Sequence, residues 1–291
     1  MRRARSPTDR AQRRGTHRPR DPGACNPDEG EIVKLTSALF GGLASLVLAL
    51  GAPPAPVGAA ENPGTLVVGG ARGSEQYPWM ASLQREGRHT CGGSLIAQRW
   101  VLTAAHCVQD AAPRDLGLRI GSADHTSGGT LAGVATIVVH PSYAAGQPNG
   151  DLALVELDRP VPQEPIPIAK ASGTAGTESR IIGWGLTCPL RGCGEPPAEL
   201  QETATRVVDD GACSLSGIDG PTEICTGSKE LLSGNACFGD SGGPQMEGGP
   251  DAWRLTGVTS RLGAAVPVCG AGPSIYTDAT AYRDWIEQTA R

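Results

Sequence analysis

The sequence predicts an all-β fold. Glycine and proline are abundant, 41 and 24 of 291 residues, while apolar residues make up 39%. That balance suits many short strands and turns better than long helices. Short apolar alternations, at 117–120 and 134–139, are bounded by glycine and proline, the pattern of strands. No repeat of 20–50 residues is visible, which argues against a solenoid or a propeller.

The ends of the chain differ in kind. Eight arginines fall within the first 20 residues, where apolar residues are scarce. Residues 1–32 read as a doubtful basic extension, produced by a gene start set too early. A valine codon can serve as a bacterial start, which makes Val33 the expected first residue. Lys34 followed by the apolar run 35–50 then gives the charged and apolar regions of a secretory signal, and Gly58-Ala59-Ala60 offers the small residues of a cleavage site. The run is too short and too interrupted by glycine for a stable membrane anchor. Residues 33–60 are thus expected to be a signal peptide, 61–66 a short propeptide and 67–291 the functional domain. Eight of the nine cysteines follow residue 90, which suits disulfides and an extracellular, oxidising location. Cys25 lies in the extension and is expected to have no partner. From residue 67 onward the chain carries 16 Lys and Arg against 24 Asp and Glu, a net −8 that disfavours nucleic acid as a partner.

One octapeptide, Cys237-Phe238-Gly239-Asp240-Ser241-Gly242-Gly243-Pro244, carries chemistry. A serine hydroxyl is a weak nucleophile that needs a base and an orienting acid. Flanking glycines let backbone N–H groups approach a reacting carbonyl. The pattern fits the nucleophile elbow of α/β-hydrolases, but that arrangement requires a histidine after the serine. All five histidines, at 17, 89, 106, 125 and 140, precede Ser241, so the elbow fails. The order His, Asp, Ser remains. His106 stands in Thr103-Ala104-Ala105-His106-Cys107. Asp151 opens the apolar run Asp151-Leu152-Ala153-Leu154-Val155, where an unpaired carboxylate is costly. His125, in a Ser/Gly/Thr-rich loop, and His140, before a proline, are expected at the surface. Without HExxH or paired CxxC motifs, no metal and no cofactor is expected.

Together with Val67-Val68-Gly69-Gly70, these motifs make residues 67–291 resemble the trypsin/chymotrypsin-like (S1) family of serine peptidases, in a secreted bacterial form. The resemblance implies two antiparallel six-stranded β-barrels packed together (chymotrypsin-like), ending in a short helix. Residues 279–289, with Tyr282, Trp285 and Ile286 at helical spacing, fit that helix. It further implies a secreted serine endopeptidase in which Ser241 attacks, His106 takes its proton and Asp151 orients the imidazole. The N–H groups of Gly239 and Ser241 would form the oxyanion hole. A freed α-amine of Val67 would pair with Asp240, although Leu66 is not the Lys or Arg after which animal zymogens of the family are cut. Disulfides would join Cys91 to Cys107, Cys188 to Cys193, Cys213 to Cys225 and Cys237 to Cys269.

The specificity pocket departs from the trypsin pattern. Asn235, beside Ala236, occupies the position where trypsins carry an aspartate. Leu262 and Ser274 replace pocket glycines, and Phe238 and Ser260 complete the expected substrate contacts. A neutral, restricted pocket follows, with small or medium uncharged residues preferred at P1. Arg261 is expected to face solvent, its alternative role being recognition of an acidic P2–P4 group. The implied partners are protein or peptide substrates and protein protease inhibitors, and the implied state is a monomer. The competing reading is a catalytically inactive secreted homologue that acts as a binding protein.

Overall fold

The computed structural model of the protein describes residues 70–228 and 232–291. The expected extension, signal peptide, propeptide and Val67 lie outside these residues.

The first barrel is built from six antiparallel strands: β2 (Met80–Arg85), β3 (Arg88–Ala97), β4 (Trp100–Thr103), β5 (Leu116–Ile120), β6 (Thr130–Val139) and β7 (Ala153–Leu157). They close in the order β2-β3-β4-β7-β6-β5. β2 and β3 form a hairpin whose two turn residues, Glu86 and Gly87, have φ of 51° and 74°. Two left-handed residues match the right-handed twist of the flanking strands. Alternation in β5 sends Leu116, Leu118 and Ile120 into the barrel and turns Gly117 and Arg119 outward.

β1 (Ala71–Arg72) crosses to the second barrel and pairs with β9. That barrel contains β8 (Glu178–Gly183), β9 (Gln201–Val207), β10 (Glu223–Gly227), β11 (Pro244–Glu247), β12 (Arg254–Leu262) and β13 (Ser274–Asp278). The order β9-β10-β13-β12-β11-β8 closes through the β8–β9 pair. The proline-rich crossover between the barrels docks on the second one, where Ala169 N–H donates to Leu255 O and Leu255 N–H to Pro167 O.

The terminal helix, α2 (Arg283–Thr289), starts four residues later than the apolar spacing predicts. Asp278 accounts for the delay: its Oδ1 accepts from Thr280 N–H and Thr280 Oγ, which holds a turn before the helix. Tyr282 and Ile286 are buried in a core cluster that also contains β7 residues of the first barrel. The rings of Tyr282 and Trp285 each meet His140 edge-on at 4.7 Å. The C-terminus therefore clamps the 140–150 loop, which leads directly to Asp151.

Candidate active site

Each barrel contributes part of one cleft. His106 lies on α1 (Ala105–Val108), a single helical turn after β4. A disulfide joins Cys107 to Cys91 of β3 and fixes that turn to the barrel wall. Closing a loop of this length contributes about 3 kcal/mol. Three further disulfides join Cys188 to Cys193, Cys213 to Cys225 and Cys237 to Cys269, the same pairs that the resemblance implies. The Sγ atoms of Cys91 and Cys107 and a ring nitrogen of His106 fall within 4.8 Å of one another. Bridged sulfurs are not thiolates, so this grouping is no metal site.

Asp151 is buried at the seam. Its Oδ2 lies 2.8 Å from His106 Nδ1, and its Oδ1 accepts from His106 N–H at 3.0 Å. Ser260, from β12, donates its hydroxyl to the same Oδ2 at 2.6 Å. Ser260, expected among the substrate contacts, here supports the acid. Burial acts to raise the Asp151 pKa. The donors and charge of His106, together with Ser260, outweigh it and hold the carboxyl below its ordinary value. The loop before Asp151 is held twice: Gly150 N–H donates to Tyr282 OH at 2.8 Å, and Asn149 N–H to Glu223 Oε1 at 3.3 Å.

Ser241 follows a tight turn. Asp240 N–H donates to Cys237 O at 3.0 Å, and Gly239 has φ of +106°, a conformation glycine adopts without strain. The Asp240 carboxylate is buried and accepts from Gly185 N–H and Cys237 N–H, each at 2.8 Å. Any side chain at Gly185 would collide with it, since a Cβ there would lie 2.3 Å from Oδ2. Burial raises the Asp240 carboxyl to about 6 despite the two N–H donors.

His89 supports this turn, a role sequence reasoning missed. Its Nδ1 lies 2.8 Å from Ser82 Oγ and its Nε2 3.0 Å from Gly239 O. Burial lowers its pKa to about 4, so the ring is neutral at neutral pH. A carbonyl can only accept, so Nε2 carries the proton and Nδ1 accepts from Ser82. His89 lies two residues before Cys91, on the strand that reaches the Ser241 turn, where Gly92 N–H donates to Ser241 O at 2.7 Å.

His106 and Ser241 line one cavity of about 230 Å³, together with Ala236, Phe238, Leu262 and Ser274. In this structure the His106 Nε2 lies 3.6 Å from Cys107 Sγ, and the Nε2–Oγ bond to Ser241 is not formed. Such bonds commonly tighten only with substrate in place. A larger cavity, about 480 Å³ between Trp79 and Trp253, contains no serine, histidine or cysteine and so no nucleophile or base of that kind.

Several side chains sit otherwise than expected. Asn235 is buried and is not among the residues that line the cavity; its amide N–H₂ donates to Ser233 O at 2.6 Å. Arg261 does not point free into solvent: it makes a two-point ion pair with Glu223, Nη2 to Oε2 at 2.9 Å and Nη1 to Oε1, and donates to Gly217 O. The Glu223 side chain has no exposed surface, and a buried carboxylate demands such a partner. His125 and His140, expected at the surface, are half-buried. His125 packs near His89 and Trp184, and His140 packs on the terminal helix.

Two barrels with a serine, a histidine and a carboxylate at their seam define the class, a serine-type endopeptidase of chymotrypsin-like fold. Residues 67–286 match the trypsin family model. Trypsin alpha of Drosophila erecta is 34% identical over 234 residues, covering 78% of this chain and 88% of that relative. Trypsin alpha-4 of Lucilia cuprina is 32% identical over 237 residues, with the same coverage of 78% and 88%. Transmembrane protease serine 11C of Mus musculus is 34% identical over 239 residues, 77% of this chain and 53% of that protein. The chain belongs to the trypsin family.

Proposed function

We propose that the protein is a secreted endopeptidase that cleaves beside small or medium uncharged residues through Ser241, His106 and Asp151. The observation that carries this reading is the His106 Nδ1–Asp151 Oδ2 contact at 2.8 Å, in a ring that shares the cavity of Ser241. Ser241 Oγ attacks the scissile carbonyl as His106 Nε2 takes its proton. Asp151 fixes the tautomer and stabilises the imidazolium. Gly239 and Ser241 N–H groups receive the oxyanion, each such donor lowering the barrier by about 3 kcal/mol. His106 protonates the leaving amine, and water then repeats the sequence on the acyl-enzyme.

Chemistry of the cavity supports the neutral preference. Ala236, Phe238 and Leu262 line it with uncharged side chains, Arg191 and Arg261 also line it, and none of its lining residues is an Asp or Glu. A Lys or Arg at P1 would find no counter-charge there. The trypsin names of the relatives do not extend to this pocket.

Activation fits the same reading. A carboxylate raised to about 6 by burial, with only two N–H donors, is poised for an ammonium partner. The freed amine of Val67 is the partner we assign to it. Residues 1–32, 33–60 and 61–66 keep their expected roles as extension, signal and propeptide, in a bacterial secreted enzyme that acts as a monomer and is open to protein inhibitors. Among the described residues, no helix is long and apolar enough to cross a membrane. The test is a P1-diverse peptide library on the processed enzyme. Cleavage after Ala, Val or similar residues supports the pocket assignment, and dominance of Lys or Arg at P1 overturns it.

A further inference from the structure

Two arginines reach the cavity that holds Ser241, Arg261 and Arg191, and the structure separates their roles. Arg261 is committed: its guanidinium is paired at two points with a carboxylate that has no exposed surface, and it also donates to Gly217 O. Its charge is matched within the protein and is not offered to a ligand. Arg191 is different. Its guanidinium carbon stands 4.0 Å above the centre of the Phe238 ring, and among the described residues no carboxylate oxygen lies within 4.0 Å of it.

The loop that carries Arg191 is built to present it. Cys188 and Cys193 close a ring around four intervening residues. Cys269 N–H donates to Pro189 O at 2.9 Å, and Leu186 N–H to Phe238 O at 2.8 Å. The loop is therefore pinned to the Cys237–Cys269 bridge and to Phe238, the residue just before the oxyanion donor Gly239. Stacking on a ring face fixes a guanidinium plane while leaving its edge N–H groups free to donate. A planar fork of that kind matches a carboxylate.

Position then selects which part of the substrate is met. Ser260, Arg261 and Leu262 of β12 line the cavity, and so do Arg191 and Phe238, the latter directly preceding the oxyanion turn in the chain. Resting on the peptidase reading above, we infer that Arg191, held on Phe238, selects an acidic residue on the leaving-group side of the scissile bond, at P1′ or P2′. The substrate class is a peptide with a small neutral P1 residue followed closely by Asp or Glu. The sequence offered Arg261, expected at the solvent, only as an alternative reader of acidic P2–P4 groups; Arg191 takes the role of acid reader here.

The experiment compares fluorogenic peptides that share a small neutral P1 residue and carry Glu, Gln or Lys at P1′ or at P2′. The enzyme is expressed from the full chain and processed, with Ser241 titrated by an organophosphate in the same preparation. An exposed pair of this kind is expected to favour Glu over Gln by about threefold in kcat/KM at low salt, and Glu over Lys by more. The preference should shrink at high salt, collapse to parity in Arg191→Ala and invert in Arg191→Glu. Parity of Glu and Gln in the wild type overturns the inference, as does a preference that survives Arg191→Ala. A parallel series carrying Glu, Gln or Lys at P1 completes the set, and a Glu preference found only in that series overturns the leaving-group assignment. If Ser241 takes up no label and no peptide is cut, the peptidase reading falls and the inference falls with it. Labelled enzyme that cuts all peptides equally defeats the inference alone.

Discussion

Arg261 of β12 and Glu223 of β10 form a two-point ion pair, with the Glu223 side chain fully buried. Glu223 also accepts Asn149 N–H at 3.3 Å and Asp219 N–H at 2.9 Å. One carboxylate thus gathers three segments: the strand holding Ser260, the loop leading to Asp151, and the turn before β10. Removing one member of a buried pair costs about 3–5 kcal/mol because the other charge is left uncompensated. Glu223→Ala should lose stability in that range in urea unfolding. Replacing Glu223 and Arg261 together with leucine should recover most of the loss, since paired burial adds little net stability. A double variant as unstable as Glu223→Ala would show that the N–H contacts, not the charge pair, carry the effect.

Ser260 and Asp151 give a second prediction. Ser260→Ala removes the 2.6 Å donor to Asp151 Oδ2 and leaves a buried carboxylate less satisfied. A loss of about 1–3 kcal/mol is expected. Asp151 has a depressed folded-state pKa, so its stabilising contribution is full above the ordinary carboxylate range and is lost as pH falls through the lower, folded value. Ser260→Ala should reduce that contribution, so the stability difference from wild type should be larger at neutral pH than in acid. A loss independent of pH would contradict the assignment.

His89 and Asp240 have opposite pH signs. His89 is lowered to about 4 from 6.5 by burial. The unfolded chain therefore binds the extra proton between those values, and the contribution of His89, full above 6.5, is lost as pH falls toward 4. Asp240 is raised to about 6 from 3.8 by burial. Its contribution is full below 3.8 and is lost as pH rises through 6. An ammonium at Asp240 removes the second penalty and leaves the first effect in place. The Tm gap between the processed enzyme and a form retaining Leu66 should therefore widen as pH rises from about 4 to about 7. A constant gap would contradict pairing of Val67 with Asp240.

The Cys188–Cys193 bridge tests the presentation of Arg191. Replacing both cysteines with serine opens a short loop and should cost about 2 kcal/mol. The Glu over Gln preference on the leaving-group side should fall toward parity, while P1 selection, proposed above to depend on Ala236, Leu262 and Ser274, should stay as it is. Matched P1 and P1′ libraries on the two forms measure both.

Much of the site could be read from the chain because its chemistry is local in sequence. The turn at Gly239, the helical turn at His106 and the acid opening the run to Leu157 each sit in a short segment whose residue types are dictated by backbone geometry and burial. What stayed hidden depends on contacts across long separations. His89 meets Gly239 O 150 residues away, and Arg261 meets Glu223 across 38 residues. Neither partner can be inferred from a pattern along one strand. An arginine in a strand looks solvent-bound until the buried carboxylate opposite it is known. Asn235 occupies the expected alignment position, yet its amide turns onto Ser233 O, a local bond that competes with facing the pocket. Helix α2 was expected to begin too early because apolar spacing does not register the Asp278 turn.

The most direct test of the catalytic assignment is covalent labelling by an organophosphate, read by peptide mass spectrometry. One label per chain, on Ser241, is expected. Labelling should be abolished in Ser241→Ala and slowed by orders of magnitude in His106→Ala, and Asp151→Asn should lose about 10⁴-fold in kcat, the loss the template triad shows when its acid becomes an amide. A folded wild-type enzyme that takes up no label, or a label that persists in Ser241→Ala, would contradict the assignment.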